Sequence, residues 1–147
     1  MSRSTRNLSA LVLAGLWTLA SDVSLAADPP SSNVIEFHME LRRQGGVVRC
    51  GLFTKEGWLN KPVASDTVAA TGKKARCTFS KIAPGTYGVS AFHDANENGK
   101  LDTNLVGYPV EEYGASRNAR NLFSAPSFED AKFAFKGGRK SLLAQLK

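Results

Sequence analysis

The sequence is poor in the side chains from which catalytic and metal centres are most often built, with two histidines and two cysteines in 147 residues. No Cys-x-x-Cys pair, His-Glu-x-x-His helix or Gly-x-Ser-x-Gly elbow occurs in it. Thiol-disulfide exchange, zinc proteolysis and α/β-hydrolase chemistry therefore lack their defining residues. Two histidines on separate segments are too few for a zinc site. A Cys/His catalytic pair would have to recruit His38 or His93, and nothing in the spacing supports it. After the first 20 residues no apolar run approaches the roughly 20 residues that a spanning helix needs. There is no internal repeat, no low-complexity tract and no composition shift that would mark a second domain.

Nor is the basic excess concentrated. Nineteen Lys and Arg stand against thirteen Asp and Glu, a net charge of +6, but Arg42-Arg43, Lys73-Lys74 and Arg139-Lys140 each sit beside glycine as solvated turn tips do. That pattern argues against a nucleic-acid surface. The charge suits adhesion to anionic envelope surfaces without establishing it.

What is present begins with an export signal. Arg3 and Arg6 precede the apolar run Leu8 to Ala20, and Ser24-Leu25-Ala26 offers small residues at a cleavage site, so residues 1–26 are expected to be a secretory signal peptide. No lipobox cysteine follows, which points to release into the periplasm or beyond. Cleavage after Ala26 removes Arg3, Arg6 and Asp22 and leaves 121 residues carrying five excess positive charges. This is enough chain for one domain with a core. Residues 27–33, with Pro29 and Pro30, are expected to stay loose, and 34–147 to form the domain.

Two cysteines in an exported chain are most simply one disulfide, Cys50 to Cys77; a free reactive thiol is the weaker reading. Closing a loop of about 28 residues is worth about 3.5 kcal/mol on the chain-entropy model.

Along the chain, apolar and polar residues alternate at a period of two, the mark of half-buried strands. Ile35, Phe37, Met39 and Leu41 form one such stripe. Val48, Cys50 and Leu52 form the next, then Ala75, Cys77 and Phe79, then Tyr87, Val89 and Ala91. A weak edge strand is expected near 67–70. Pro84-Gly85 has the residue order of a type II turn. Trp58, in a Gly- and Pro-containing loop, reads as a plug beneath it or, less simply, as a stacking platform. Ser127 to Asp130 reads as a capping-box turn. Phe133 and Phe135, a Gly137-Gly138 turn, and Leu142, Ala144 and Leu146 complete the set. About seven short strands in one chain predict an all-β, antiparallel sandwich, with a long irregular segment at 105–126.

The most informative stretch is His93 to Asn104. Asp94, Asn96, Asn98, Gly99, the Lys100 carbonyl and Asp102 follow the first nine positions of an EF-hand loop, but Leu105 stands where a bidentate Glu belongs. Calcium takes six to eight oxygens at about 2.3–2.6 Å, and alternate side chains on a tight turn can supply them. Asn104, water, or a distant acid such as Glu111, Glu112 or Asp130 would complete the shell. Two well-placed carboxylates predict weak affinity, on the order of 0.1–1 mM. The same residues also suit a metal-free Asx-turn connection, and both readings stand.

Irregular connections of about 20 residues are uncommon in compact domains and often functional. Tyr108, Tyr113, Arg117, Asn118 and Arg120 are the candidate contacts of a recognition surface, because aromatics and arginines dominate binding energy at interfaces. A packed Ω-loop is the alternative.

The ordered set Pro84-Gly85-Thr86-Tyr87, His93-Asp94, Asn96 to Asn104, Gly107-Tyr108-Pro109, Glu111 to Gly114, Ser116 to Arg120 and Ala125 to Phe133 resembles the bacterial family of secreted proteins called domain of unknown function 2141, from about Val34 to Leu146. The family has no established activity. The resemblance implies a transthyretin-like or immunoglobulin-like sandwich.

The expected function is an exported, non-enzymatic module of the cell envelope. A structural calcium ion would order loop 94–104, and segment 105–126 would be presented to an envelope protein or glycan. A small-molecule or saccharide carrier is the alternative. A hydrolase acting on extracellular polymers, with Asp94 and Asp102 as acid and base or with Ser90 or Ser116 as nucleophile near His93, has less behind it.

Overall fold

A computed structural model of the chain describes residues 33–121 and 124–147; the expected signal peptide and residues 27–32 of the expected leader lie outside the described residues. Eight strands follow in order: β1 Val34–Glu40, β2 Val47–Phe53, β3 Ala64–Ala69, β4 Lys74–Ser80, β5 Gly85–Asp94, β6 Tyr113–Ala115, β7 Phe133–Phe135 and β8 Arg139–Gln145. One helical turn, α1 Phe128–Ala131, precedes β7. Its start is capped as expected: Ser127 Oγ accepts the Asp130 N–H and donates to the Asp130 carboxylate.

Burial follows the alternation in the sequence. Ile35, Phe37 and Met39 are buried while Glu36, His38 and Glu40 are not, and Cys77 and Phe79 are buried between exposed Arg76, Thr78 and Ser80. Two sheets bring these stripes face to face. One has the order β4-β1-β8; the other runs β3-β2-β5-β6, with β7 also paired to β5. The result is an all-β sandwich whose core includes Phe37, Phe79, Leu52, Val89 and Leu146. The expected disulfide between Cys50 and Cys77 is formed and ties β2 of one sheet to β4 of the other.

Four details differ from the sequence reading. First, β8 lies parallel to β1, Phe37 opposite Leu142, while the other pairings are antiparallel. Second, Asn33 is fixed rather than loose. It is buried, its carbonyl accepts the Ile82 N–H, and its side chain accepts the Gly138 N–H. Third, Gly85 opens β5 without a left-handed φ, so there is no type II turn; Lys81, at φ 60°, takes the left-handed conformation instead. Fourth, segment 105–126 is not wholly irregular. It contributes β6 to the sheet, followed by a 3-10 turn, Ser116–Asn118.

The length of β5 explains how that segment is placed. Tyr87 at its start faces Phe133 of β7, and Ser90 to Phe92 near its end face Ala115 to Tyr113 of β6, so two short strands share one edge in succession. The Ser116 hydroxyl stitches the junction, accepting from the Val89 N–H at 2.9 Å and donating to the Ala131 carbonyl at 2.6 Å. Trp58 is a plug. Its indole donates to the Pro126 carbonyl at 2.8 Å and packs edge-on between Phe53 and Phe128.

Candidate functional site

The loop after β5 grows out of a rigid strand end. Asp94 is fully buried, and its carboxylate accepts the N–H of Asn98 at 2.9 Å, the N–H of Gly99 at 2.8 Å and Arg49 Nε at 2.6 Å. Burial opposes its charge, but the Arg49 guanidinium and the two N–H groups outweigh burial and hold the carboxyl below the usual range. Gly99, at φ 81°, makes the turn that aims both N–H groups inward.

Asp102 returns from the far side. Its two oxygens accept the side-chain amides of Asn96 at 2.7 Å and Asn98 at 2.8 Å. Asn96 Oδ1 and Asn98 Oδ1 accept the N–H groups of Asn98 and Lys100 in successive Asx turns. Glu111 then clamps the two ends together, one oxygen on the Ala95 N–H at 2.9 Å and the other on the Asp102 N–H at 3.0 Å.

Of the six expected ion ligands, Asn96, Asn98 and Asp102 are joined by hydrogen bonds in which the two Asn side chains turn their amide nitrogens to Asp102, Asp94 is tied to the Asn98 and Gly99 N–H groups, and Lys100 lies in the turn between them. Asn104 does not join them. Its Oδ1 accepts the N–H groups of Val106 and Tyr108, at 3.1 and 2.9 Å, because the next turn needs a cap. Of the distant acids, only Glu111 reaches the loop. Glu112 is buried elsewhere, with one oxygen on the Arg42 N–H and the other without a partner among the described residues, and Asp130 belongs to α1. Among the described residues no three carboxylate, imidazole or thiol side chains stand together as a metal cluster. His93 is buried, its Nε2 2.5 Å from the Gly45 carbonyl, so it serves packing.

Beyond the loop the chain makes a narrow tip. Thr103 bridges to Pro109, the Asn104 N–H donates to the Tyr108 carbonyl, and the Val110 N–H donates to the Asp102 carbonyl. Leu105 and Val106 protrude at its end, and Tyr108 is 58 % exposed. Between this tip, Leu101 of the loop and the outer face of β5 and β6 lies a cleft of about 310 Å³, with Phe92, Tyr108 and Tyr113 in its walls. That volume falls at the lower end of small-molecule sites.

The expected recognition set therefore splits. Tyr108 and Tyr113 line the cleft. Arg120 instead donates to the Gln145 carbonyl at 2.7 Å, and Asn118 accepts the Gln145 N–H at 3.0 Å, so these two clamp the end of β8. Arg117 reaches the Lys132 carbonyl. Asn118 and Arg120 thereby cover the end of an otherwise open sheet edge, where backbone groups need partners. Phe92 and Ser90, which the alternation places on the outer face of β5, were not among the expected contacts. Their signal was available, since a large aromatic on the solvent side of a strand calls for a covering partner.

Two of the four groups offered for hydrolysis, Asp94 and Ser116, have other partners. Asp94 is locked by Arg49, and the buried Ser116 hydroxyl holds the β5–α1 junction.

Fold and site together define a disulfide-linked all-β sandwich with a polar Asp/Asn loop beside an aromatic cleft. A family model described as "Uncharacterized protein conserved in bacteria (DUF2141)" matches residues 39–142, and the chain belongs to that family. No curated protein and no solved structure matches the chain. Among the described residues no helix is long and apolar enough to cross a membrane.

Proposed function

We propose that the chain is an exported, non-enzymatic module of the bacterial cell envelope that recognises a protein or glycan through the cleft beside segment 105–126. The observation that carries this reading is the suspension of the tip: Tyr108 hangs from Asn104, and the loop that precedes it is closed by Glu111. A tip whose backbone is held in this way loses little freedom on contact, which lowers the entropic cost of binding. In this reading a structural calcium ion, held by Asp94, Asn96, Asn98, Asp102 and the Lys100 carbonyl, stiffens the loop further. Asp94 keeps a competing internal cation in Arg49, which suits weak affinity.

The test is cosedimentation of the mature protein with purified envelope fragments, in millimolar calcium and in chelator. The wild type is expected to sediment, less so in chelator, and the variant Tyr108→Ala/Tyr113→Ala to remain in solution. A wild type that stays in the supernatant, or a double variant that sediments equally, overturns the reading.

The volume of the cleft favours a small-molecule carrier as the second reading. A ligand retained through purification and seen by native mass spectrometry would favour it.

A further inference from the structure

The cleft is one half of a longer groove. Residues at matched positions on four neighbouring strands form a row across the outer face, Thr67 on β3, Arg49 on β2, Phe92 on β5 and Tyr113 on β6. A second row, Ser65, Gly51, Ser90 and Ala115, runs alongside it. A further depression of about 420 Å³ lies over β2 and β3, and it shares Leu59, Ser90, Phe92 and Leu101 with the cleft. The two are contiguous, and three strand spacings of about 4.8 Å make the groove about 14 Å across the sheet. This exceeds a single sugar ring or metabolite and fits a short linear chain.

The chemistry of the walls narrows the occupant. Aromatic rings come from Phe92, Tyr113 and Tyr108, and uncharged hydrogen-bonding groups from Ser90, Thr103 and Asn121. In the 310 Å³ half, no described wall residue carries a charge. In the other half, two do, and both are already neutralised or solvated by the protein. Arg49 is paired to Asp94 at 2.6 Å, and Asp66 accepts the N–H groups of Thr67 and Thr78 at 2.8 and 2.7 Å. An anionic polymer or an acidic peptide would find no uncompensated cation here despite the net positive charge of the chain. A hydrophobic peptide or lipid would leave the hydroxyl and amide groups of the floor without partners, which is costly once buried. Rings that present an apolar face and a rim of hydroxyls match both features.

We infer that the groove binds an uncharged oligosaccharide chain lying across β6, β5, β2 and β3, its rings stacked on Tyr108, Tyr113 and Phe92. The inference rests on the recognition function proposed above and names the ligand class of the same site. Leu101, which belongs to the loop, sits at the waist between the two halves, so loop order and ligand register are coupled through one side chain.

Isothermal titration calorimetry with chitotetraose, cellotetraose and maltotetraose as neutral probes and tetragalacturonate as the anionic probe tests it. At least one neutral tetramer is expected to bind, with little change between 50 and 500 mM salt on the order-of-magnitude scale of screening. It should bind at least tenfold more tightly than its disaccharide. Tyr108→Ala, at a largely exposed position, is expected to weaken that binding at least tenfold while leaving the melting temperature unchanged. Preference for tetragalacturonate with strong salt dependence, tetramer and disaccharide of equal affinity, or heat from none of the neutral probes each overturns the inference. If the wild type still sediments with envelope fragments when the neutral tetramers give no heat, the ligand class fails and the recognition function stands; if it does not sediment, both fail.

Discussion

Arg49 and Asp94 meet as diagonal neighbours on the outer face of the β2–β5 pair, Arg49 standing opposite Phe92 and Asp94 opposite Val47, with Nε 2.6 Å from Oδ2. Diagonal positions lie within reach of a long side chain. The contact fixes the root of the Asp/Asn loop to the strand that runs beneath the groove. It joins the two features on which the functional reading depends.

Acid should loosen the protein at this point. Folding depresses the Asp94 carboxyl, so its contribution is fully present above the ordinary carboxylate pKa of about 4 and is lost as pH falls through the lower folded value. Urea midpoints are expected to be level between pH 5 and 7 and to fall below about pH 4. In Asp94→Asn this acid dependence should be smaller, with lower stability at pH 7. A variant whose acid limb matches the wild type would place the sensitivity in other carboxylates.

Calcium, if it fills the loop, should raise the melting temperature, by the equivalent of about 1.4 kcal/mol at about ten times its dissociation constant. Removing the internal cation should sharpen the response. Arg49→Ala is expected to be less stable in chelator yet to bind calcium several-fold more tightly, because Asp94 then has no competing positive charge. Melting curves that coincide in 10 mM calcium and in chelator, for wild type and variant alike, at a concentration on the order of ten times the expected constant, would take the ion out of the account.

In the turn that carries the chain from β1 in one sheet to β2 in the other, Gly46 has φ 65°, and a Cβ there would stand 2.4 Å from the Asp94 carbonyl oxygen and 2.8 Å from the Ala95 Cα. Neither backbone atom can yield cheaply. Gly46→Ala should therefore cost about 1–3 kcal/mol, whereas Gly72→Ala, where a Cβ meets nothing within 4 Å and φ is not left-handed, should lie within about 0.5 kcal/mol of wild type. Thermal unfolding of the two variants checks the contrast.

Reduction of the Cys50–Cys77 bond, which spans 27 residues and joins the two sheets, should lower unfolding stability by about 3.5 kcal/mol. Urea titration with and without reductant measures it. A loss under about 1 kcal/mol would mean that the reduced, unfolded chain keeps the two strands together.

Much of this was readable beforehand from local pattern. The alternation of Ile35, Phe37 and Met39, of Cys77 and Phe79, and of Val89 and Ala91 marked strands within a residue or two of their bounds. Ser127 announced its own cap. Glu111 was visible as an acid near the loop, though not as the clamp across its ends. The β6 strand was hidden because Tyr113-Gly114-Ala115 is too short to show a period, and it is a strand only because the exposed edge of β5 offers hydrogen bonds to it. Asn104 misled for a related reason: an Asn side chain serves an ion or a turn with the same oxygen, and only the position of the Tyr108 N–H decides which.

By itself the sequence determined the strand stripes and the polar loop, since each depends on residues within a few positions of one another, and the single staple, since two cysteines allow one pairing. The tertiary structure decided which strands became neighbours. It laid β8 parallel to β1 across about a hundred residues of chain, drew Arg120 and Asn118 away to the end of β8, and aligned Thr67, Arg49, Phe92 and Tyr113 into one row. The physical reason is that a half-buried stripe specifies which face must be covered but not by what. The partner is fixed only when the whole core closes, and the groove on the opposite face is a consequence of that choice.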